Sequence, residues 1–274
     1  MERPIIRRQQ LFGLPFVDAA TTEPVVAELR SFDPLARPRG LHVVLTPNVD
    51  YVVQFAHDHD PDVATVVSSA EWVLPDGQPI VWASHLLGRP LRARLPGSTL
   101  VTDLWPHLLA DGRTVLVVAS GAAVADRVAA EAGASASVIA PMLHDRAAVD
   151  AFAASLVAGI DQARPPEFVF VAFGFPRMAQ LTHALNEQWP ADVPTPVYLL
   201  VGASFEMMYG LRKRAPQWAQ RFGLEWLYRF VQEPRRLFTR YFVRDPYFVW
   251  LVALEWWRTS RPGAPQRGQA TGSP

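Results

Sequence analysis

Through the first 204 residues, short apolar runs alternate with stretches in which apolar positions recur every three or four residues. Consecutive apolar positions are typical of strands buried on both faces of a parallel sheet, whereas the longer spacing indicates helices. Strands are predicted over residues 41–46, 63–69, 114–120, 136–141, 167–174 and 196–204. Helices are predicted over residues 49–59, 98–109 and 145–162, after residue 121 and from residue 176 onward. The alternation predicts an α/β fold with a mostly parallel sheet covered by helices on both faces.

Several of the predicted strands end in a polar or glycine-containing segment. These segments are Thr46-Pro47-Asn48, Asp76-Gly77, Ser120-Gly121, Gly174-Phe175-Pro176 and Gly202-Ala203-Ser204. Ligands of open parallel sheets bind outside the carboxyl ends of the strands. The sequence therefore predicts a binding site along this edge of the sheet.

The pattern becomes purely helical after residue 204. Pro234 predicts a break, because proline cannot donate a helical hydrogen bond, and Asp245-Pro246 predicts the start of another helix. Residues 259–274 are rich in Pro, Gly, Ser and Gln and are predicted to be disordered. Three parts are thus expected: an α/β core over 1–204, a helical appendage over 205–258 and a tail over 259–274.

Charge is balanced over the whole chain but not along it. The 274 residues contain 26 basic and 26 acidic side chains, which argues against generic nucleic-acid binding. Residues 205–258 contain ten basic against five acidic residues, and five of the nine tryptophans. Arginine binds phosphate through two parallel hydrogen bonds, and tryptophan favours membrane–water boundaries. Two interpretations stay open: a site for a lipid phosphate or pyrophosphate, and a basic helical hairpin packed on its own domain.

The remaining composition excludes some chemistry and predicts a location. The chain has no cysteine, which excludes disulfides and thiolate metal sites, and Lys213 is its only lysine. The N-terminus lacks the apolar run of a signal peptide, and no apolar stretch reaches the ~18 residues that span a bilayer. The eleven residues 247–257 could lie on a membrane but not cross it. A cytoplasmic protein is expected.

Two acidic segments have both a structural and a chemical interpretation. Asp76 lies in an Asp-Gly pair, a common turn, but at a strand terminus it could also act as a general base toward a sugar hydroxyl. Residues 57–60, His-Asp-His-Asp, look like metal ligands. However, they fall at the predicted end of a helix, where successive side chains diverge, so a solvated helix end is favoured.

The motifs of the chain resemble those of the WecG/TagA/CpsF glycosyltransferases (glycosyltransferase family 26), roughly from residue 40 to residue 241. Thr46 and Asn48 match a T-x-N element, and residues 74–80 match a P-D-G-x-P element. Arg94 with Gly97-Ser98 matches R-x-x-G-S/T, and Gly174 with Pro176-Arg177 matches G-x-P-K. Residues 201–216 match V-G-A-x-F-D…G…R-A-P. Residues 223–241 match G-L-E-W-x-x-R…E-P-x-R, the most specific of these signatures.

The resemblance implies a Rossmann-like fold and an inverting transfer of a sugar from a UDP donor to a polyprenyl-diphosphate-linked acceptor. It implies Asp76 as the catalytic base and a peripheral location on the inner face of the cell membrane, with no essential metal. The donor-binding residues that it implies are Thr46, Asn48, Gly77, Arg94, Gly97, Gly174, Pro176, Arg177 and Gly202. The arginines expected at the acceptor diphosphate are Arg214, Arg229, Arg236 and Arg240.

The chain departs from the family pattern at three places, and the first of them is expected to contact the donor. Met178-Ala179 replaces a Gln-Glu pair, although Gln180 follows, Thr99 stands where Asp is common, and Glu206 stands for Asp. The donor could therefore be N-acetylmannosamine-like, a hexose or a uronic acid. A second hypothesis is a catalytically decayed, membrane-docked binding module. A third is a soluble enzyme whose aromatic C-terminal region forms an oligomer interface.

Overall fold

The computed structural model of the protein describes residues 6–212, 228, 230–231, 238 and 244–260. Eight strands of this part form one sheet. They are β1 (Arg8–Leu11), β2 (Leu14–Val17), β3 (His42–Leu45), β4 (Ala70–Val73), β5 (Val115–Ala119), β6 (Ser137–Ile139), β7 (Phe168–Ala172) and β8 (Val197–Leu200). The strand order is β1-β2-β4-β3-β8-β7-β5-β6. Only β1 and β2 pair antiparallel, and every other neighbouring pair in this sheet is parallel.

The helices of the described residues flank this sheet. They are α1 (Glu23–Arg30), α2 (Val49–His57), α3 (Pro61–Ser68), α4 (Gln78–Leu86), α5 (Gly97–Ala110), α6 (Ala122–Ala132), α7 (Arg146–Ala158), α8 (Arg177–Gln188), α9 (Ser204–Met208) and α10 (Tyr247–Thr259). The predicted fold class is confirmed: a mostly parallel, Rossmann-like α/β sheet with helices on both faces.

Two hydrophobic cores lie on opposite faces of the sheet. One is formed with α2, α3, α4, α7 and α8, and the other with α1, α5, α6 and α9. Successive strand residues contribute to different cores: Val169 and Val171 of β7 face the first, and Phe168 and Phe170 face the second. The central strands β3, β7 and β8 are buried at every position. This burial on both faces explains why their sequences are continuously apolar.

One strand prediction was wrong. Residues 63–69 were expected to form a strand, but residues 61–68 form helix α3, and the strand β4 follows it. Asp60 caps the helix by accepting a hydrogen bond from the Asp62 amide (2.9 Å), and Pro61 occupies the first turn. The buried residues of α3 recur at helical spacing. These start signals outweigh the strand preference of its valines and threonine.

An N-terminal hairpin and helices α1 and α4 were not among the predicted elements. The hairpin joins β1 to β2 through Phe12 and Gly13, which have φ of 54° and 77°. Positive φ at both turn residues matches the twist of a two-residue hairpin, for which Asn-Gly is the usual sequence. Phe12 is an uncommon residue in this conformation, and its ring packs against Phe248 (5.2 Å between ring centroids).

The proposed boundary after residue 204 stays a prediction. Phe205, the second residue of α9, is fully buried and packs edge-on against Trp105 and Phe170. The appendage predicted to begin there is therefore joined to the core through an apolar contact. Residues 213–227 and 261–274 lie outside the described part of the chain. None of the described helices has the length and apolar character needed to cross a membrane.

Candidate active site

A cleft of about 1170 Å³ opens at the carboxyl ends of β3, β4, β5, β7 and β8. It is as large as the larger ligand sites of proteins, which span about 300–1,000 Å³. Seven of the residues predicted for catalysis or donor binding line it: Thr46, Asn48, Asp76, Gly77, Arg94, Gly174 and Gly202. The structure thus brings together segments that lie up to 156 residues apart in the sequence.

Asp76 lies in this cleft on a loop fixed by main-chain hydrogen bonds. The Asp76 amide donates to the Pro47 carbonyl (3.0 Å), and the Leu95 amide donates to the Pro75 carbonyl (2.9 Å). The Asp76 carboxylate accepts a hydrogen bond from the Gly97 amide at 3.3 Å, at the start of α5. A helix N-terminus favours negative charge, because its amide dipoles point toward it. The carboxylate is therefore half-buried, oriented and held at a positive pole.

The segment after β3 joins this loop to the rest of the site. The buried Thr46 hydroxyl donates to the Leu200 carbonyl of β8 (3.2 Å). Asn48 caps α2 by accepting a hydrogen bond from the Tyr51 amide (3.1 Å). Gly77 caps α4 without a side chain, and a Cβ there would lie 3.7 Å from the Asn48 Cα. The two predicted elements T-x-N and D-G are therefore in direct contact.

The segment between β7 and α8 divides into residues inside and outside the cleft. Gly174 and Phe175 line the cleft, and the Phe175 ring packs on Tyr51 (4.0 Å between centroids). Pro176 precedes α8 as its capping residue, after a cis peptide bond. Arg177 donates to the Gln180 side chain and to the His144 carbonyl. Pro176 and Arg177 are not among the lining residues, so their donor-binding role stays a prediction without geometric support.

Gly97 also lies behind the cleft surface. It is buried and is not a lining residue, and it contacts the site through Asp76. Gly202 lines the cleft with φ of 55°, a conformation that favours glycine. Arg94 lines the cleft on the loop before α5. Their roles in donor binding stay predictions.

The substituted pair Met178-Ala179 lies in the first turn of α8. Met178 lines the cleft and is 5% exposed, whereas Ala179 is fully buried in the core. Gln180 donates to the Asp60 carboxylate and lies away from the cleft lining. It therefore does not replace the polar group missing at position 178. The cleft has a more apolar wall here than the resemblance implied.

Ser120, Glu206 and Arg212 form a chain of polar contacts along the cleft, for which no role was predicted from the sequence. The Ser120 hydroxyl donates to the Glu206 carboxylate (2.7 Å), and Arg212 lies 3.8 Å from the other Glu206 oxygen. Ser120 and Gly121 precede α6, so the free amides of that helix start face the same cleft. The signal was present, since Ser120-Gly121 ends a predicted strand and Glu206 departs from the family pattern.

Helix α10 contributes the part of the cleft that is most distant in sequence. Phe248 and Asp245 line the cleft, although they follow the last strand by more than 40 residues. Three contacts fix this helix and the residues before it. The Tyr247 ring packs at a tilt against His57 (4.2 Å between ring centroids), Glu255 pairs with Arg89 (3.2 Å) and Arg244 pairs with Asp50 (3.0 Å). No local sequence pattern indicates that these residues reach the sheet edge.

The outer face of α10 carries exposed apolar side chains. Val249 is 72% exposed, Trp250 and Trp256 are 54% exposed, and Trp257 is 48% exposed. They form a stripe opposite the face that packs on α2 and the hairpin. The four arginines predicted to bind the acceptor diphosphate, Arg214, Arg229, Arg236 and Arg240, lie outside the described residues.

Residues 57–60 join α2 to α3, as expected for a helix end. His57 bonds to the Val53 carbonyl, and Asp58 accepts a hydrogen bond from the Asp60 amide (2.9 Å). Asp60 then caps α3. In the described part of the chain, no three His, Asp or Glu side chains are grouped as metal ligands. The expectation that no metal is essential stays a prediction.

Comparisons with known proteins agree with this arrangement. The sequence profile of the Glycosyl transferase WecG/TagA/CpsF family matches residues 9–262. An N-acetylglucosaminyldiphosphoundecaprenol N-acetyl-beta-D-mannosaminyltransferase of Bacillus spizizenii is 33% identical over 225 residues, covering 81% of this chain and 82% of the relative. Enzymes of the same name from Bacillus subtilis (30% identity; 71% and 73% covered) and Staphylococcus aureus (25%; 86% and 89%) are also similar.

Proposed function

Because the chain belongs to the glycosyl transferase WecG/TagA/CpsF family, we propose that it moves a sugar from a UDP-sugar to an acceptor carried on a polyprenyl diphosphate. The relatives are named for transfer of N-acetylmannosamine to N-acetylglucosaminyldiphosphoundecaprenol, so an N-acetylmannosamine-like donor is the first candidate. Hexose and uronic acid donors stay open. The product would be a lipid-linked precursor of a cell-wall or other surface polysaccharide.

The observation that carries the proposal is the Asp76 carboxylate, held in the cleft at the start of α5. In the proposed step, Asp76 takes the proton from an acceptor hydroxyl as that oxygen forms a bond to the anomeric carbon. The bond from this carbon to the UDP oxygen breaks, and the diphosphate leaves with the electron pair. Attack from the face opposite the leaving group inverts the anomeric configuration. A positioned base is required, because the hydroxyl is a weak nucleophile at neutral pH.

The departing diphosphate needs positive charge or hydrogen-bond donors. In the described residues, Arg94, Arg212 and the uncapped start of α6 at Gly121 supply such groups along the cleft. We propose that these groups stabilise the UDP without an essential metal. Transfer that survives EDTA is the expected result. Loss of transfer on EDTA treatment, with recovery on added Mg²⁺, would contradict it.

Membrane attachment is proposed from helix α10. Its inner face packs on the protein, while Trp250, Trp256 and Trp257 face outward. A helix with exposed tryptophans suits the headgroup region of a bilayer, where the lipid-linked acceptor is carried. We place the protein peripherally on the cytoplasmic face. In liposome sedimentation, Trp250→Ser/Trp256→Ser should move protein from pellet to supernatant. A tail buried between subunits would instead leave the wild type in the supernatant, as a homo-oligomer.

The test of the proposed function is a donor screen. Radiolabelled UDP-sugars are presented with polyprenyl-diphosphate-N-acetylglucosamine in detergent, and labelled lipid is measured after extraction. Label in the lipid fraction from one donor, absent with Asp76→Asn, is the expected result, and the anomeric configuration of the product tests inversion. If no UDP-sugar in the screen transfers label while a relative's enzyme does so in parallel, the proposal is wrong.

A second candidate rests on the apolar wall at Met178. If this substitution abolishes donor binding, the protein is a membrane-docked binding module of the same fold. Calorimetric titration with UDP and UDP-sugars separates the two. Binding of UDP supports the transferase, whereas no heat of binding with UDP or any UDP-sugar supports the module. Met178→Gln, the residue of the family pattern, should strengthen donor binding if the position contacts the donor.

A further inference from the structure

We propose that Gly97 is a positioning residue: the lack of a side chain there lets the start of α5 reach the ends of β3 and β8 and hold the Asp76 carboxylate. The proposal rests on the proposed function and deepens it, since it concerns how the base is placed. It reassigns Gly97, which the sequence resemblance had grouped with donor contacts. The inference starts from the contacts around this one residue.

A Cβ at position 97 has no room. It would lie 2.7 Å from the Thr46 hydroxyl oxygen, 3.0 Å from the Thr46 Cβ and 3.0 Å from the Ser204 hydroxyl oxygen. Carbon atoms attract one another at about 3.5–4.0 Å, so these separations are repulsive. Among the glycines of the described residues, Gly97 leaves the least room for a Cβ. The next closest Cβ contact, at Gly159, is 3.5 Å.

The two neighbours are held in place by their own hydrogen bonds. The Thr46 hydroxyl donates to the Leu200 carbonyl (3.2 Å), and the Ser204 hydroxyl donates to the Val201 carbonyl (2.6 Å). Thr46 is 8% exposed and Ser204 is 4% exposed. Turning either hydroxyl away would leave a buried polar group unpaired, which costs about 1–3 kcal/mol. An added methyl group would therefore push α5 outward rather than displace these side chains.

Movement of α5 would act directly on the base. The Gly97 amide is 3.3 Å from the carboxylate, at the outer limit of a good hydrogen bond, so a small outward shift breaks it. Asp76 is also tied at its own amide to Pro47 and cannot follow the helix. The carboxylate would lose the hydrogen bond from the Gly97 amide and the orientation that this bond gives it. Catalysis is sensitive to such errors, since misplacement by about 1 Å can cost about 100-fold in rate.

The first test separates positioning from donor binding. For Gly97→Ala we expect kcat to fall by about 10- to 100-fold while the KM for the donor changes less than about twofold. The matched control is Gly159→Ala, at the exposed end of α7, where a Cβ meets only ordinary contacts at 3.5 and 3.6 Å. Wild-type kcat in Gly97→Ala, or a loss confined to donor KM, would overturn the proposal.

The second test examines the steric origin, and it also applies if Gly97→Ala alone does not fold. Thr46→Gly/Ser204→Ala removes both hydroxyls and the Thr46 Cβ, which are the three atoms that the new methyl group would meet. In this background, adding Gly97→Ala should yield folded protein whose kcat is within about threefold of the background, because the repulsion has been relieved. A loss of tenfold or more in the relieved background, or failure to fold there, would rule out the crowding argument.

The third test needs no turnover, so it distinguishes failure of this inference from failure of the proposed function. Midpoints of urea unfolding are measured for wild type, Asp76→Ala, Gly97→Ala and the double variant. If the Gly97 amide holds the carboxylate, Asp76→Ala lowers the midpoint more with glycine at 97 than with alanine. Equal shifts in both backgrounds would refute the inference. Absence of transfer by the wild type would refute the transferase and leave this result standing.

Discussion

Replacing Asp76 by two different residues separates its chemistry from its structural contact. The carboxylate accepts a hydrogen bond from the Gly97 amide, so it also caps helix α5. The residue at the capping position itself, Pro96, has no side-chain acceptor. Asp76→Ala removes both the proposed base and the cap. Asp76→Asn keeps an acceptor oxygen of nearly the same shape but removes the charge and the ability to take a proton. A purely structural Asp76 would be replaced well by asparagine.

The two effects differ enough in size to be measured apart. Loss of a helix cap costs about 0.5–2 kcal/mol, and the 3.3 Å contact places Asp76→Ala in the lower half of that range. For a domain of this size, 1 kcal/mol lowers Tm by about 2–4 °C. Asp76→Asn loses mainly the interaction of its charge with the helix, about 0.3–1 kcal/mol. Loss of a general base lowers the rate by about 100- to 10,000-fold, which is roughly 3–5 kcal/mol in the barrier.

Unfolding cannot produce the activity loss. A domain stable by about 5–15 kcal/mol stays more than about 99% folded after losing 1 kcal/mol. We therefore expect Asp76→Asn to melt within about 3 °C of wild type and to lose at least about 100-fold in kcat. Differential scanning calorimetry and the radiolabel transfer assay measure the two quantities on one preparation. Transfer by Asp76→Asn within a few-fold of wild type would remove Asp76 from the chemistry and leave it as a cap.

Three further outcomes follow from the described contacts. The Tyr51 hydroxyl is buried without a hydrogen-bond partner in the described part of the chain, and this burial raises its pKa. Tyr51→Phe should therefore leave Tm unchanged or raise it, and a fall of several degrees would reveal a partner. Phe248→Ala should cost about 3 kcal/mol in urea unfolding, since the buried ring packs on Phe12; a cost under 1 kcal/mol would mean that α10 is weakly attached. Ser120→Ala removes one of the two polar contacts that the described residues make with the Glu206 carboxylate and leaves Arg212 as the other. It should change the UDP affinity measured by calorimetry; an unchanged Kd would place the Ser120–Glu206 pair outside the donor site.

Much of the sheet could be predicted because its strands are buried on both faces. β3, β5, β7 and β8 lie within apolar runs that no surface strand would tolerate, and the polar residues at their ends form the cleft. Asp76 could be placed there because it ends such a strand region. Helix α3 was misassigned because its valines and threonine are common in strands, while its cap at Asp60 occurs in a segment that looked like metal ligands.

The rest depends on contacts between distant segments. The hairpin uses Phe12 where a turn residue is expected, so its own sequence gives a weak signal. The crowding around Gly97 arises because three segments that are distant in sequence meet after folding. They contain Thr46, Gly97 and Ser204. Arg177 matches a family motif, yet its guanidinium donates to the segment before α7. A motif specifies residue types, and only the packing decides which of them reach the cleft.

Helix α10 joins the two extremes of the described chain, because Phe248 rests on the turn of the N-terminal hairpin while it lines the cleft. A protein shortened before Tyr247 would lose more than its outward tryptophans. It would expose the aromatic ring of Phe12 and the imidazole of His57, and it would remove one side of the cleft. If α10 also carries the proposed membrane attachment, loss of lipid binding and loss of the proposed transfer would coincide in that shortened protein. Only substitutions on the outward face of α10 can distinguish the proposed membrane attachment from the contribution of this helix to the cleft.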